Sequence, residues 1–501
     1  MSPSDTHFDW ISSIHLTTAL IYLFILLVVF TVTKRWLFID GHLPGPPSIP
    51  LLGNLYVIFF NPSNFVIVLT KLSRIYGSVY SFRMGEVPAI VVCGYDSVKE
   101  VLVTKAKAFS ERPLLGYMKD HPECLGIFFQ NGERWSYLRK LTLRAIHDLD
   151  TVKPENIRRY ISEEMQELVG FIKAKKGRPF DPRDIMASVS ANTMCSVMLN
   201  RRFDYTDKRI KELIQTVDRM FEIEGFGQME HFIPALRFLK HIGIGTSFED
   251  EIIRLRKEVK EFILREDTSS FLGGDGDHEV ESLAHAYRKR VDHDSDVVVS
   301  VCILDMIQAA IATTKGTNSW ITLYMARFPK VVEQCQEEIQ QVFGDGPVDC
   351  LVKEDQLPYC TATINEVMRI SSAIPTAAPH MASEDTTLNG YPIEKGTLVL
   401  VNLHSVHNER EYWGDPDVFR PGRFLDEEGK FNRKERNLSF GAGPRGCLGK
   451  QIAKKMIFSF FVTMLTNFDI SIPSGDAPPS LQGVLKIVYE PKPFRIVAVA
   501  R

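Results

Sequence analysis

Phe440-Gly441-Ala442-Gly443-Pro444-Arg445-Gly446-Cys447-Leu448-Gly449 places one cysteine in a loop with four glycines. A helical apolar pattern follows through Ile452, Met456, Phe460, Phe461 and Met464. Glycines let backbone approach closely and adopt dihedrals closed to other residues. A metal-binding thiolate needs such a close approach, N–H donors around the sulfur and the positive end of a helix beside it. A buried structural cysteine in a glycine-rich turn uses the same features. The loop alone leaves both readings open.

Working outward, the 501 residues are 45% apolar and 24% charged, a globular composition long enough for a large core. The net charge of −3 argues against nucleic acid as the main partner. The 8 cysteines are scattered without a CxxC pair, which suggests reduced thiols in a cytosol-facing protein. No internal repeat or second-domain linker stands out.

Positions 10–33 carry no charged residue, a run of 24 that is long enough to span a bilayer as a helix. Asp5 and Asp9 precede it, and Lys34 and Arg35 follow it. The positive-inside rule then places the rest of the chain in the cytosol. The length of the run and its trailing basic residues favour a retained anchor over a cleaved signal peptide. Leu43-Pro44-Gly45-Pro46-Pro47 makes a stiff spacer. The expected division is an anchor at 1–35, a hinge at 36–50 and a catalytic domain at 51–501.

Val79–Phe82 and Ala89–Cys93 read as two short strands about Gly85-Glu86, and Asn389–Leu398 as two more. Most of 155–265 reads as helix, and Asp296–Arg327 reads as one long helix. Trp135 and Arg139 fall four apart on one helix face, and Glu366 and Arg369 three apart on another. Each pair alone also suits an ordinary helix surface.

Taken together, the loop and these upstream segments resemble the cytochromes P-450, and the resemblance runs from about Leu43 to the C-terminus. Phe440, Gly443, Arg445, Cys447 and Gly449 match the family's haem-binding signature position by position. The resemblance implies a mostly α fold with a small β region and one N-terminal transmembrane helix. It implies haem b with Cys447 as axial iron ligand, a thiolate that favours O–O cleavage. Arg112, Trp135, Arg139, His380 and Arg445 would meet the haem propionates. Glu366, Arg369 and Arg423 (in Pro421-Gly422-Arg423-Phe424) would form a buried network behind the cysteine loop.

The resemblance further implies a microsomal haem-thiolate monooxygenase of the steroid- and drug-metabolising branch, single-pass in the endoplasmic reticulum membrane. Electrons would come from NADPH through a reductase, with cytochrome b5 as a possible second donor, and a lipophilic substrate would be oxidised. Arg433, Lys434, Arg436, Lys450, Lys454 and Lys455 flank the cysteine loop and would face that donor. Arg139, Lys140 and Arg144 are expected to extend the same side.

One segment departs from the family pattern. Gln308–Thr314 resembles the oxygen-side helix, with Thr313 and Thr314 at the threonines. Ala310 stands where the family has glycine, and Ala312 where it has the acid of the proton relay. Proton delivery is therefore expected to be unusual, through water, Thr313 and Thr314, or a substrate hydroxyl. Some insect steroid-hormone members resemble this chain in being atypical here. A reductase-independent isomerase or dehydratase, or a haem-based sensor without turnover, are the alternatives such a segment allows. The expected pocket lining is 113–129, Phe221–Phe226, Ile307–Thr314, Ala373–Ala378 and Val484–Leu485.

Overall fold

A computed structural model describes residues 43–501 except 62–63, 115–116, 122–124, 153, 224–231, 234–247, 267–281, 291–295, 345 and 347–355. It also describes Thr18, Tyr22, Leu23, Leu26 and Phe30. The expected membrane anchor lies outside the described residues apart from those five.

The molecule is mostly helical with a small β region. The elements that place the site are, in chain order, β1 (Val79–Met84), β2 (Val87–Val92), α1 (Gly132–Val152), α2 (Pro154–Ala174), α3 (Arg183–Leu199), α4 (Lys208–Glu222), α5 (Phe248–Glu266), α6 (Asp296–Arg327), α7 (Pro329–Phe343), α8 (Pro358–Ser371), β3 (His380–Met381), β4 (Leu398–Val401), α9 (Lys450–Asn467), β5 (Gly483–Leu485) and β6 (Tyr489–Pro491).

The long helix α6 has the expected bounds. Ile303, Ile307, Ile311, Trp320, Ile321 and Leu323 are fully buried on its several sides, as in a helix that runs through a core. Among the described residues, Val298–Arg327 is the helix apolar and long enough to cross a membrane, and 67% of its most apolar window is buried inside the protein. That burial marks it as a core helix. It packs along α3, which is buried from Ile185 to Leu199.

The β region is a four-stranded sheet in the order β1-β2-β4-β3. β1 and β2 pair antiparallel, and β2 pairs parallel with β4, Ala89 opposite Leu398. Strands about three hundred residues apart are thereby joined, and β3 on the outside brings His380 opposite Val399. A bridge from Met381 to Glu111 then draws the segment around Arg112 to the same edge. The proline spacer is held against the domain: Ser81 donates its N–H to Pro44 O at 2.8 Å, and Asn54 Nδ2 donates to Pro47 O at 3.0 Å.

Helix α8 starts at Pro358 in its first turn and stops at Ser372, which adopts a left-handed conformation (φ 45°). These two signals set the span that carries Glu366 and Arg369.

Candidate active site

The cysteine loop is tied by its own backbone. Cys447 N–H donates to Phe440 O at 2.9 Å, Gly446 N–H to Gly443 O at 3.0 Å, and Gly441 N–H to Leu438 O at 2.8 Å. Gly443 has φ 68°, and a Cβ there would stand 1.7 Å from Leu102 O. Leu102 belongs to a one-turn π-helix, Glu100–Thr104, against which the loop is pressed. Only glycine meets both demands.

Of the six described cysteines, five are buried and Cys447 is exposed. That distribution separates it from the structural thiols. Its sulfur is reachable yet ringed by protein, so desolvation raises its pKa. The Gly449 amide, Arg139 and Lys450 act in the opposite sense and favour the thiolate. Helix α9 begins immediately afterwards at Lys450.

A cluster of cations stands beside the loop. Arg445 donates from Nε to Ser110 O at 2.7 Å and from Nη2 to Gln130 O at 2.7 Å and Asn131 Oδ1 at 3.1 Å. Its guanidinium lies 3.9 Å from the Trp135 ring centre. Arg112 donates from Nη1 to Ala378 O at 2.7 Å and Pro379 O at 2.9 Å, and its buried Nε has no hydrogen-bond partner. Arg139 Nη2 donates to Gly446 O at 3.1 Å. His380 Nδ1 is 2.6 Å from Phe109 O, which fixes that nitrogen as the donor.

Burial pushes Arg112 down to about 10. Burial, and then repulsion by Arg112 and Arg139, pushes Arg445 down to about 9. Burial and Arg112 bring His380 to about 3, so its ring is neutral. Among these neighbours Glu111 is the one carboxylate acting on Arg445. Crowded, desolvated guanidiniums with an unused buried N–H are a donor set for anions. Two propionates beside a thiolate fit it, so the residues present suit haem.

Behind the loop, Glu366 and Arg369 are wholly buried. Arg369 donates from Nε to Glu366 Oε2 at 2.7 Å and from Nη2 to Oε1 at 2.8 Å. Arg423 Nε donates to the same Oε1 at 2.9 Å. Arg369 also donates to His407 O at 2.7 Å and Pro416 O at 2.9 Å. His407 was not expected from the sequence. Its Nε2 accepts from Leu438 N–H at 3.0 Å, and Nδ1 lies 3.0 Å from Ser372 Oγ. It therefore couples the buried network to the strand of chain entering the cysteine loop. No local pattern marks His407, whose role appears only when three distant segments meet.

On α6, Ala309, Ala310 and Thr313 share the accessible face, while Ile311, Ala312 and Thr314 are buried. Of the two adjoining threonines, Thr313 is partly accessible and Thr314 is buried. Thr313 Oγ1 donates to Ala309 O at 2.8 Å, which leaves its lone pairs free to accept.

On the other side of the loop lies a cavity of about 480 Å³ that reaches Cys447 and Phe440. Arg139, Arg433, Lys434, Lys450 and Lys454 line it as expected, and Lys99 joins them. Two expected members are committed elsewhere. Arg436 pairs with Glu409 between the rings of Tyr95 and Tyr412, and Lys455 pairs with Asp150 at 2.6 Å.

With this geometry in place, comparison with known proteins is informative. The family model described as Cytochrome P450 matches residues 43–498. The chain is 31% identical to Cytochrome P450 2U1 of Mus musculus, over 95% of each protein. It is 31% identical to Cytochrome P450 2B15 of Rattus norvegicus, over 92% of this chain and 94% of the relative. It is 30% identical to Cytochrome P450 2J2 of Homo sapiens, over 91% of each.

Proposed function

This chain belongs to the cytochrome P450 family and is a monooxygenase of its drug- and steroid-metabolising branch, and from that premise we propose that it oxidises a sterol-like lipophile with electrons from NADPH. The observation that carries this reading is the exposed Cys447, in a loop closed on Phe440 O and flanked by partly buried guanidiniums.

Cys447 would hold the iron as a thiolate, which the Gly449 amide, Arg139 and Lys450 favour. Arg112, Trp135, Arg139, His380 and Arg445 would hold the propionates, and Phe440 lines the same cavity as Cys447. When bound, haem supplies the oxygen chemistry, in which one atom of O2 enters the substrate and the other leaves as water. Thr313 is the hydroxyl on the accessible face of α6 that can bind a water and hand on a proton. Ala309 and Ala310 keep that face uncharged, which suits an apolar substrate and excludes loosely held water.

The cationic cavity behind the loop suits an acidic electron donor, an NADPH–cytochrome P450 reductase, with cytochrome b5 as an alternative donor. An isomerase or dehydratase without a reductase would have no use for that face. The uncharged run at 10–33 and the proline spacer support a single-pass anchor in the endoplasmic reticulum membrane, with the domain in the cytosol.

Optical titration of the purified holoenzyme with sterols, steroid intermediates and unrelated lipophiles tests the substrate assignment. A saturable shift of the Soret band with one sterol class is expected. Weak shifts from many unrelated compounds, with none from any sterol, would overturn it.

A further inference from the structure

Lys315 stands two residues beyond Thr313 on α6, with 13% of its side chain exposed. Its Nζ donates to Asp218 Oδ1 of α4 at 3.0 Å and lies 3.1 Å from Glu490 Oε1 of β6. Burial alone would lower its pKa, but Glu490 and Asp218 outweigh burial and hold it above the usual lysine value. Arg183 at the start of α3 also acts on Glu490. One nitrogen thus joins three elements that are distant in sequence.

The partners are not equally fixed. The β5–β6 hairpin is bound to α6 by directional contacts. Trp320 Nε1 donates to Tyr489 O at 2.8 Å, the two rings stack at 5.5 Å, and a Cβ on Gly316 would meet Val488 at 2.9 Å. Tyr489 N–H also donates to Ala373 O at 2.8 Å. Gly316 and Trp320 follow Thr313 by three and seven residues, so the hairpin covers the α6 face one turn beyond it.

The C-terminal half of α4 is held differently. Val217 and Met220 are buried there, in line with Ile210 and Leu213 of the first half. On other sides its attachments are ionic: Asp218 to Lys315, Glu222 to Lys486 at 3.3 Å, and Arg219 to Glu251 at 2.8 Å. Lys486–Glu222 is exposed on both sides and Arg219–Glu251 on the arginine side, and exposed pairs contribute little. Lys315 is the sheltered one.

We propose that Lys315 is a positioning residue that fastens α4 to the rigid unit of α6 and the hairpin, and so sets how fast small molecules pass to and from the Thr313 side of α6. The ligand-exchange part rests on the haem site proposed above, whereas the fastening of α4 does not.

The test uses the full-chain holoenzyme and Lys315→Met, with Lys315→Arg as the conservative control. Amide hydrogen exchange across 208–222 is expected to speed up about tenfold in Lys315→Met and to return towards wild type in Lys315→Arg. Exchange across 450–467 is expected to stay unchanged. Imidazole binding, followed optically, is expected to show association and dissociation rates rising together by about threefold or more, with affinity nearly constant. Unchanged exchange at 208–222, equal acceleration at 450–467, or unchanged imidazole rates in a haem-loaded variant would overturn the proposal. Asp218→Asn, at a half-exposed position, repeats the test if Lys315→Met does not fold. It is expected to loosen 208–222 and leave the hairpin at 483–491 as in wild type. Failure of haem loading would remove the optical signal and still leave the exchange measurement readable.

Discussion

Arg369→Ala is expected to lose about 3–5 kcal/mol of stability and to be recovered without haem. Arg369 satisfies Glu366 through two hydrogen bonds at 2.7 and 2.8 Å, in surroundings where neither side chain is exposed. Removing it leaves the Glu366 carboxylate buried with Arg423 as its remaining cation, through a single bond at 2.9 Å. It also removes the donors to His407 O and Pro416 O. These carbonyls belong to the segments that feed the cysteine loop, since His407 in turn accepts from Leu438 N–H. The loss is therefore one of charge balance and of loop position together. Denaturation midpoint and haem content of the purified protein measure it. A fully loaded variant with an unchanged midpoint would contradict the role given to the network.

Gly443→Ala is expected to abolish haem retention with a smaller effect on helix content. The added methyl would sit 1.7 Å from Leu102 O, and φ is 68° at that position. Backbone, not a flexible side chain, is the obstacle, so either the loop or the π-helical turn at Glu100–Thr104 must move. A shift there carries Cys447 with it, because Gly446 and Cys447 are bonded back to Gly443 and Phe440. Far-ultraviolet circular dichroism close to wild type with haem content near zero is the expected pair of results. Normal haem content would show that the turn yields more easily than this packing implies.

Much of the architecture was readable before the structure because its causes are local. Helix α6 announces itself by its long helical pattern, and the Glu366–Arg369 spacing marks a helix face in α8. The cysteine loop, and the pairing of Glu366 with Arg369, follow from spacing once the family resemblance is recognised. What could not be read depends on contacts between distant segments. The parallel pairing of β2 with β4 spans about three hundred residues. Thr313 and Thr314 adjoin in sequence, but the fold leaves the first partly accessible and buries the second. Arg436 and Lys455 look like their basic neighbours, but Glu409 and Asp150, remote in the chain, neutralise them. Lys99 reaches the same cavity from the other end of the domain.

Thiolate ligation by Cys447 is the centre of the account, and the optical spectrum of the reduced, carbon-monoxide-bound protein tests it most directly. The full-length wild-type chain is expected to show the red-shifted Soret band of thiolate-ligated haem, and Cys447→Ser to lose that band. A wild-type spectrum resembling histidine-ligated haem, or an unchanged band in Cys447→Ser, would contradict it.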